Sequence, residues 1–290
     1  MIAFFRQAEG ERANLGTYLL TLSIVLFSLI PGQFLSELLA RNIWGFSLMY
    51  IPKEVDRNIV LFLALLPFVV AFFALLTSLK YIHKRELRTV FTSRSRFDWK
   101  RFVFSMLLWI SLMLILLVIA MNSGAEIQWN IHPAKIVSLV LISLIILPFQ
   151  TAAEDLFFRS FLFQGLGRLK LNPLIGVAVT GALFGLSHAG NPEVDMLGYQ
   201  VLLYYIMTGF FLGIITHYDN GMELGMGYHF ANNLFGVLIL TNDWQALQTD
   251  ALFIDKSLPV FGWDSILVIA ILQPLLFFIF SKVYKWKKNN

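Results

Sequence analysis

The chain has 290 residues, of which 58% are hydrophobic and only 14% charged, with a formal net charge of +4 and no cysteine. A soluble domain carries about 25% charged residues, so this composition, with a mean hydropathy of +0.71, describes an integral membrane protein without room for a large soluble domain. It excludes disulfides, thiol nucleophiles and thiolate metal sites, and its basic residues lie in loops beside apolar runs, where they orient helices rather than bind nucleic acid.

Eight apolar segments, each near the roughly 20 residues that a bilayer requires, follow one another at 16–39, 59–82, 102–121, 135–166, 173–190, 197–217, 222–241 and 263–284. The expected class is all-α: a polytopic integral membrane protein of about eight transmembrane helices with a polar intramembrane site, forming a single membrane domain over residues 1–290. The first apolar run ends at Pro31-Gly32-Gln33 with no small-residue cleavage site behind it, and it reads as a retained helix. The fourth segment is longer than a bilayer needs, and Pro148 within it predicts a kink. Residues 242–262 are polar and aromatic and read as a surface loop. His83 and His132 flank spans and read as solvated, and His217 with Asp219 closes the sixth span as a candidate accessory residue.

Lysine and arginine set the orientation. The connection after the second segment holds Lys80, Lys84, Arg85, Arg88, Arg94, Arg96, Lys100 and Arg101. The one after the fourth holds Arg168 and Lys170, and the tail holds Lys282, Lys285, Lys287 and Lys288. The opposite side has only Arg41, Lys53, Arg57, Lys135 and Lys256. The positive-inside rule therefore places both termini in the cytoplasm of a multi-pass protein of the cell membrane.

Three segments carry polar groups that apolar helices exclude, and a charged group near the bilayer centre costs roughly 2.5–3.5 kcal/mol or more. The first is Ala153-Glu154-Asp155-Leu156-Phe157-Phe158-Arg159. Asp155 and Arg159 are four apart on a helix and can pair, which alone reads as a structural ion pair. Glu154 is turned about 100° away, among Phe149, Leu156, Phe157, Phe158 and Phe161, which suits a general base working near neutrality. The second is Phe184-Gly185-Leu186-Ser187-His188, where His188 closes a run with no charge. The third is His229-Phe230-Ala231-Asn232-Asn233, where His229 and Asn233 share a face, either as ligand-facing groups or as interhelical hydrogen bonds. Gly221, Gly225 and Gly227 just before them allow a neighbour to approach closely.

At about 1.5 Å per residue, Glu154 and His188 lie level with one another, roughly 21–24 Å from the turn at 169–172, whereas His229 is only about 10 Å from its own loop. The three can meet only if the hairpin between Glu154 and His188 projects beyond the membrane on the cytoplasmic side, and the expectation is that it does, with basic Arg168 and Lys170 at its tip. Other protease signatures are missing. Ser187 lacks a small residue after it, Tyr218-Asp219 has no second Gly-x-Gly-Asp half, and no His-Glu-x-x-His occurs. Two histidines and a carboxylate remain a donor set that can take a divalent metal with an open position.

An acidic pair followed by x-x-x-Arg (Glu154, Asp155, Arg159), then Phe184-x-x-x-His188, then His229-x-x-x-Asn233, in this order on successive helices, resembles the type II CAAX prenyl endopeptidase family, also called CPBP or Abi. The resemblance covers about residues 135–240. The family pattern has Glu-Glu where this chain has Glu154-Asp155. The resemblance implies an intramembrane endopeptidase with a cavity open to the cytoplasm and the bilayer. In it Glu154 and His188 would activate water, His229 and Asn233 would hold the oxyanion, and Arg159 would orient the acidic pair. A rival assignment makes Glu154, His188 and His229 ligands of a divalent metal such as zinc. The implied substrate is a membrane-associated or lipidated protein or peptide, in contact with membrane lipid and without nucleic acid. Outside the family, the same polar cluster fits a non-proteolytic immunity or scaffold protein, or a proton-coupled transporter.

Overall fold

The computed structural model describes residues 3–9 and 13–286. Lys287 and Lys288, which contributed to the charge count of the tail, lie outside the described residues. The helices in chain order are α1 (Leu15–Trp44), α2 (Arg57–Tyr81), α3 (Leu87–Phe91), α4 (Trp99–Asn122), α5 (Pro133–Gly167), α6 (Pro173–Leu186), α7 (Pro192–Leu197), α8 (Val201–Asp219), α9 (Glu223–Leu234) and α10 (Ser265–Val283). Their starts follow local chemistry. Asn14 and Thr17 form a capping box before α1, Asp56 caps α2, Asp98 caps α4, and Asn172 caps α6 with Pro173 in its first turn. In each case a side-chain oxygen satisfies a backbone N–H that the helix leaves unpaired.

Among the described residues, six helices (α1, α2, α4, α5, α8 and α10) are long and apolar enough to cross a membrane. The protein is thus an all-α, multi-pass membrane protein. The sequence predicts eight spans, and a helix forms at each predicted place. However, α6 has 14 residues, shorter than a bilayer requires, and α9 has 12, continued by a π turn at Phe235–Ile239 only to the lower end of the spanning range. Both are segments interrupted by polar residues; α9 is enclosed by its neighbours, whereas α6 keeps an exposed apolar face with Leu174, Val179 and Leu183. Large apolar side chains stay exposed on the outside, among them Leu19, Phe27 and Phe34 on α1 and Leu107, Leu114 and Val118 on α4. So extensive an apolar surface suits lipid rather than water.

Close helix packing fixes the centre. α8 lies against α6 so tightly that a Cβ on Gly209 would come 2.5 Å from the Gly181 carbonyl oxygen. α9 lies against α4 in the same way, and a Cβ on Gly227 would come 2.2 Å from the Phe102 carbonyl oxygen. Small residues at helix contacts allow this approach.

A buried ion network ties the α3–α4 loop to the α8–α9 turn. Arg94 reaches Asp219 and Glu223, each at 3.0 Å, and Arg101 pairs with the other oxygen of Asp219. The Trp286 indole donates to Asp219 at 2.9 Å, and the Phe4 N–H donates to Asn220 Oδ1 at 3.1 Å. Phe4 and Phe5 are buried, the latter against Phe163 of α5.

Two expectations are corrected. His83, read as solvated, is 4% exposed. Its Nε2 lies 2.9 Å from the Thr21 hydroxyl, between the rings of Tyr18 and Phe161. The pull of that aromatic pocket outweighs the basic residues following it in sequence. Residues 242–262 are more than a surface loop. Strand β3 (Phe253–Asp255) pairs antiparallel with β1 (Ile127–Trp129) and parallel with β2 (Leu240–Asn242). Lys256 and Arg57 grip Asp243 and hold its carboxyl below the usual carboxylate range. The loop is thereby fastened across one end of the bundle.

Candidate active site

The predicted polar residues come from α5, the end of α6, and α9. In α5 the regular helix ends at Ile145 and resumes as Leu147–Asp155, a break that follows from Pro148, which cannot donate the next helical hydrogen bond. Directly after Asp155 the helix widens into a π turn, Leu156–Leu162, a form that recurs at functional sites. Gln150 and Glu154, four residues apart, share a face, and the Gln150 amide donates to Glu154 Oε1. The same Gln150 accepts from Asn233 Nδ2 at 3.0 Å. Asn233, Gln150 and Glu154 therefore form one hydrogen-bonded chain from α9 to α5.

Asp155 points elsewhere and is 1% exposed. Its Oδ1 lies 3.2 Å from an Arg159 guanidinium nitrogen, and its Oδ2 lies 3.3 Å from His229 Nδ1. A carboxylate paired with arginine only accepts, so His229 Nδ1 carries its hydrogen. The opposite ring nitrogen, Nε2, faces Glu154 Oε2 at 3.5 Å. His229 is braced between the two acids. Arg159 is itself buried, with its guanidinium 4.0 Å from the centre of the Phe184 ring.

His188 stands just beyond α6. Its Nδ1 donates to the Phe184 carbonyl at 2.7 Å, which leaves Nε2 as the nitrogen with the lone pair. The ring stacks on Tyr205 at 4.3 Å and 17°. Ser187 donates to the same carbonyl at 2.7 Å, so its hydroxyl serves the helix end.

Glu154, His188 and Asn233 all line a cavity of about 660 Å³, together with Gln150, Tyr204 and Tyr205. Its apolar wall comes from Val25, Leu26 and Leu29 of α1 and Phe68 of α2, and Gln245–Leu247 of the long loop close another side. His229, 5% exposed, is absent from that wall and stands behind Glu154. His217, the candidate accessory residue, does not line the cavity.

Three features escaped the sequence reading. Gln150 had one available signal, its spacing of four from Glu154. The second contact of Asp155, to His229, depends on tertiary packing and had none. Glu193, also on the cavity wall, was one acid among several in a polar connection.

The donor set Glu154, His188 and His229 can be tested against a divalent metal. Among the described residues no three His, Asp or Glu side chains are gathered closely enough to hold one. His229 is turned to Glu154 on one side and Asp155 on the other, and His188 is held by the Phe184 carbonyl and Tyr205. The arrangement as it stands does not fit a bound metal, and no step below passes through one.

A polar cluster beside an apolar cavity, inside a multi-pass helical bundle, defines a class of membrane protein with a chemically equipped interior. Residues 134–235 match the family described as type II CAAX prenyl endopeptidase, Rce1-like, and this segment is a domain of that family. It contains every residue of the cluster. A relative in Bacillus subtilis strain 168, named uncharacterized protein YyaK, is 36% identical over 168 residues, which make up 57% of this chain and 56% of that protein. The chain thus aligns with little more than half the length of this relative. No solved structure matches.

Proposed function

We propose that the chain is an intramembrane endopeptidase that hydrolyses a peptide bond of a membrane-associated or lipidated protein or peptide. The observation that carries this reading is the convergence of Glu154, His188 and Asn233 on one cavity, with His229 braced behind Glu154. Membership of residues 134–235 in an endopeptidase family supports it.

A water held between Glu154 and His188 gives a proton to Glu154. The resulting hydroxide attacks the substrate carbonyl carbon, and the π electrons of the C=O bond move to oxygen. Asn233 spends one Nδ2 hydrogen on Gln150 and has a second to offer this oxyanion. His229, backed by Asp155, stands behind Glu154 and positions that carboxylate, so the oxyanion donor on the cavity wall is Asn233. Collapse of the tetrahedral intermediate breaks the C–N bond, and Glu154 returns its proton to the leaving amine. The apolar wall from α1 and α2 suits a substrate that arrives from lipid. The excess of basic residues in the 80–101 connection supports a cytoplasmic location for that loop and both termini.

Purified protein in lipid nanodiscs, given a cleavable membrane peptide, tests the proposal. Glu154→Gln, His188→Ala and His229→Ala each abolish cleavage, and Asn233→Ala lowers the rate by about 10²–10³-fold, as expected for loss of one oxyanion donor. Cleavage that persists in all three of the first variants sinks the reading. Cleavage lost to a chelator and restored by zinc assigns the chemistry to the metal alternative instead.

A further inference from the structure

The cavity that Glu154 faces contains a second carboxylate and no cation to balance it. Among the described residues that line it, Glu154 and Glu193 are acids, His188 is the one base, and none is lysine or arginine. Arg159, close in sequence, is buried under Phe184 and is not part of the wall. Glu193 stands in the first turn of α7. Its Oε1 accepts from the Ala246 N–H at 2.9 Å, which pins the long loop over the cavity. Its Oε2 is shut away from solvent and has no hydrogen-bond partner. Tyr205, beside it, is hydrogen-bonded to Asn191.

A buried carboxylate oxygen without a donor calls for an explanation, because such groups are normally satisfied. Glu193 lines the cavity although this oxygen is closed off where it stands. Rotation about the last bond of a glutamate side chain is soft, so the carboxylate can swing toward an occupant and exchange its bond to the Ala246 N–H for one to a cation. The apolar walls make a charge-assisted bond there strong.

We infer that Glu193 is a cation-reading subsite, which takes the side chain of a lysine or arginine carried by the cavity's peptide ligand. That this ligand is a substrate rests on the peptidase reading; the subsite does not.

The test uses the full chain in nanodiscs with Glu154→Gln as background, so that nothing is cleaved and only binding is read. The probes are one acylated, fluorescein-labelled apolar peptide with a single lysine scanned along it, and its norleucine and glutamate counterparts. At one or two positions lysine should bind at least about tenfold tighter than norleucine, as a desolvated charge pair does. Glu193→Gln, which retains an acceptor for the Ala246 N–H, should erase the difference, and Glu193→Lys should shift the preference to the glutamate peptide. Two outcomes overturn the inference: no position prefers lysine, or the preference survives Glu193→Gln. A thermal melt of each variant identifies misfolding. If lysine is preferred but the wild-type chain cleaves no peptide, the peptidase reading falls and the subsite stands. If the wild-type chain cleaves but no position prefers lysine, the subsite falls and the peptidase reading stands.

Discussion

Gln150 is an uncharged side chain between two site residues, and it sets the position of both. Its amide hydrogen goes to Glu154 and its carbonyl oxygen takes a hydrogen from Asn233. Gln150→Ala leaves the Glu154 carboxylate one donor short and frees Asn233 to turn. A hydrogen bond to a charged group contributes about 1.5–3 kcal/mol, so kcat should fall by about 10–100-fold with little change in KM, as steady-state kinetics on the variant would show. Glu154, His188, His229 and Asn233 were legible in the sequence because each is a polar group where apolar helices carry none. Gln150 was not, since an amide in Leu147-Pro148-Phe149-Gln150 stands out neither by charge nor by rarity. The dual role of Asp155 was half legible. Its pairing with Arg159 follows from a spacing of four, whereas its contact with His229 joins residues 74 apart.

At the level of elements, two irregularities in α5 frame the acidic pair: the break at Ile146 before it and the π turn from Leu156 after it. The first was legible from Pro148, the second was not, because no residue type dictates a π turn. Spacing likewise predicted helices at α6 and α9 but not their shortness. The α6–α8 contact decides where His188 meets Tyr205. Gly209→Ala places a methyl 2.5 Å from the Gly181 carbonyl oxygen, a backbone atom that cannot step aside. Overpacking of this kind costs about 1–3 kcal/mol, so the variant should melt earlier and lose activity together. Gly190→Ala, where a Cβ meets nothing within 4 Å, should leave the melting temperature unchanged. Equal melting temperatures for both variants would refute this account of the contact.

Across the whole molecule, the site depends on a lock distant from it. Asp219 and Glu223 are buried carboxylates at the end of α8 and the start of α9, and Arg94 joins them. This sets the height of α9, and with it His229, six residues further on. Arg94→Ala leaves Glu223 without its cation and Asp219 with Arg101 alone, and stripping one partner from a buried pair costs about 3–5 kcal/mol. The expected result is a large drop in thermal stability, read by unfolding in detergent; a loss of activity without that drop would contradict a structural role.

The same corner carries a topological consequence. The Phe4 amide bonds Asn220, and the Trp286 indole bonds Asp219. These partners are neighbours in sequence, so the two ends of the described chain meet. A path that begins and finishes at one end of a bundle has traversed it an even number of times, whatever the length of each helix. The end of α5 packs on Phe5 and the end of α8 meets Trp286 at the same corner, so α6 leaves that end and α8 returns to it, and α9 and α10 repeat the excursion. Because the chain has no cysteine of its own, single cysteines at Arg6 and at Lys285 must react from the same face of a sealed vesicle. Labelling from opposite faces would break the parity.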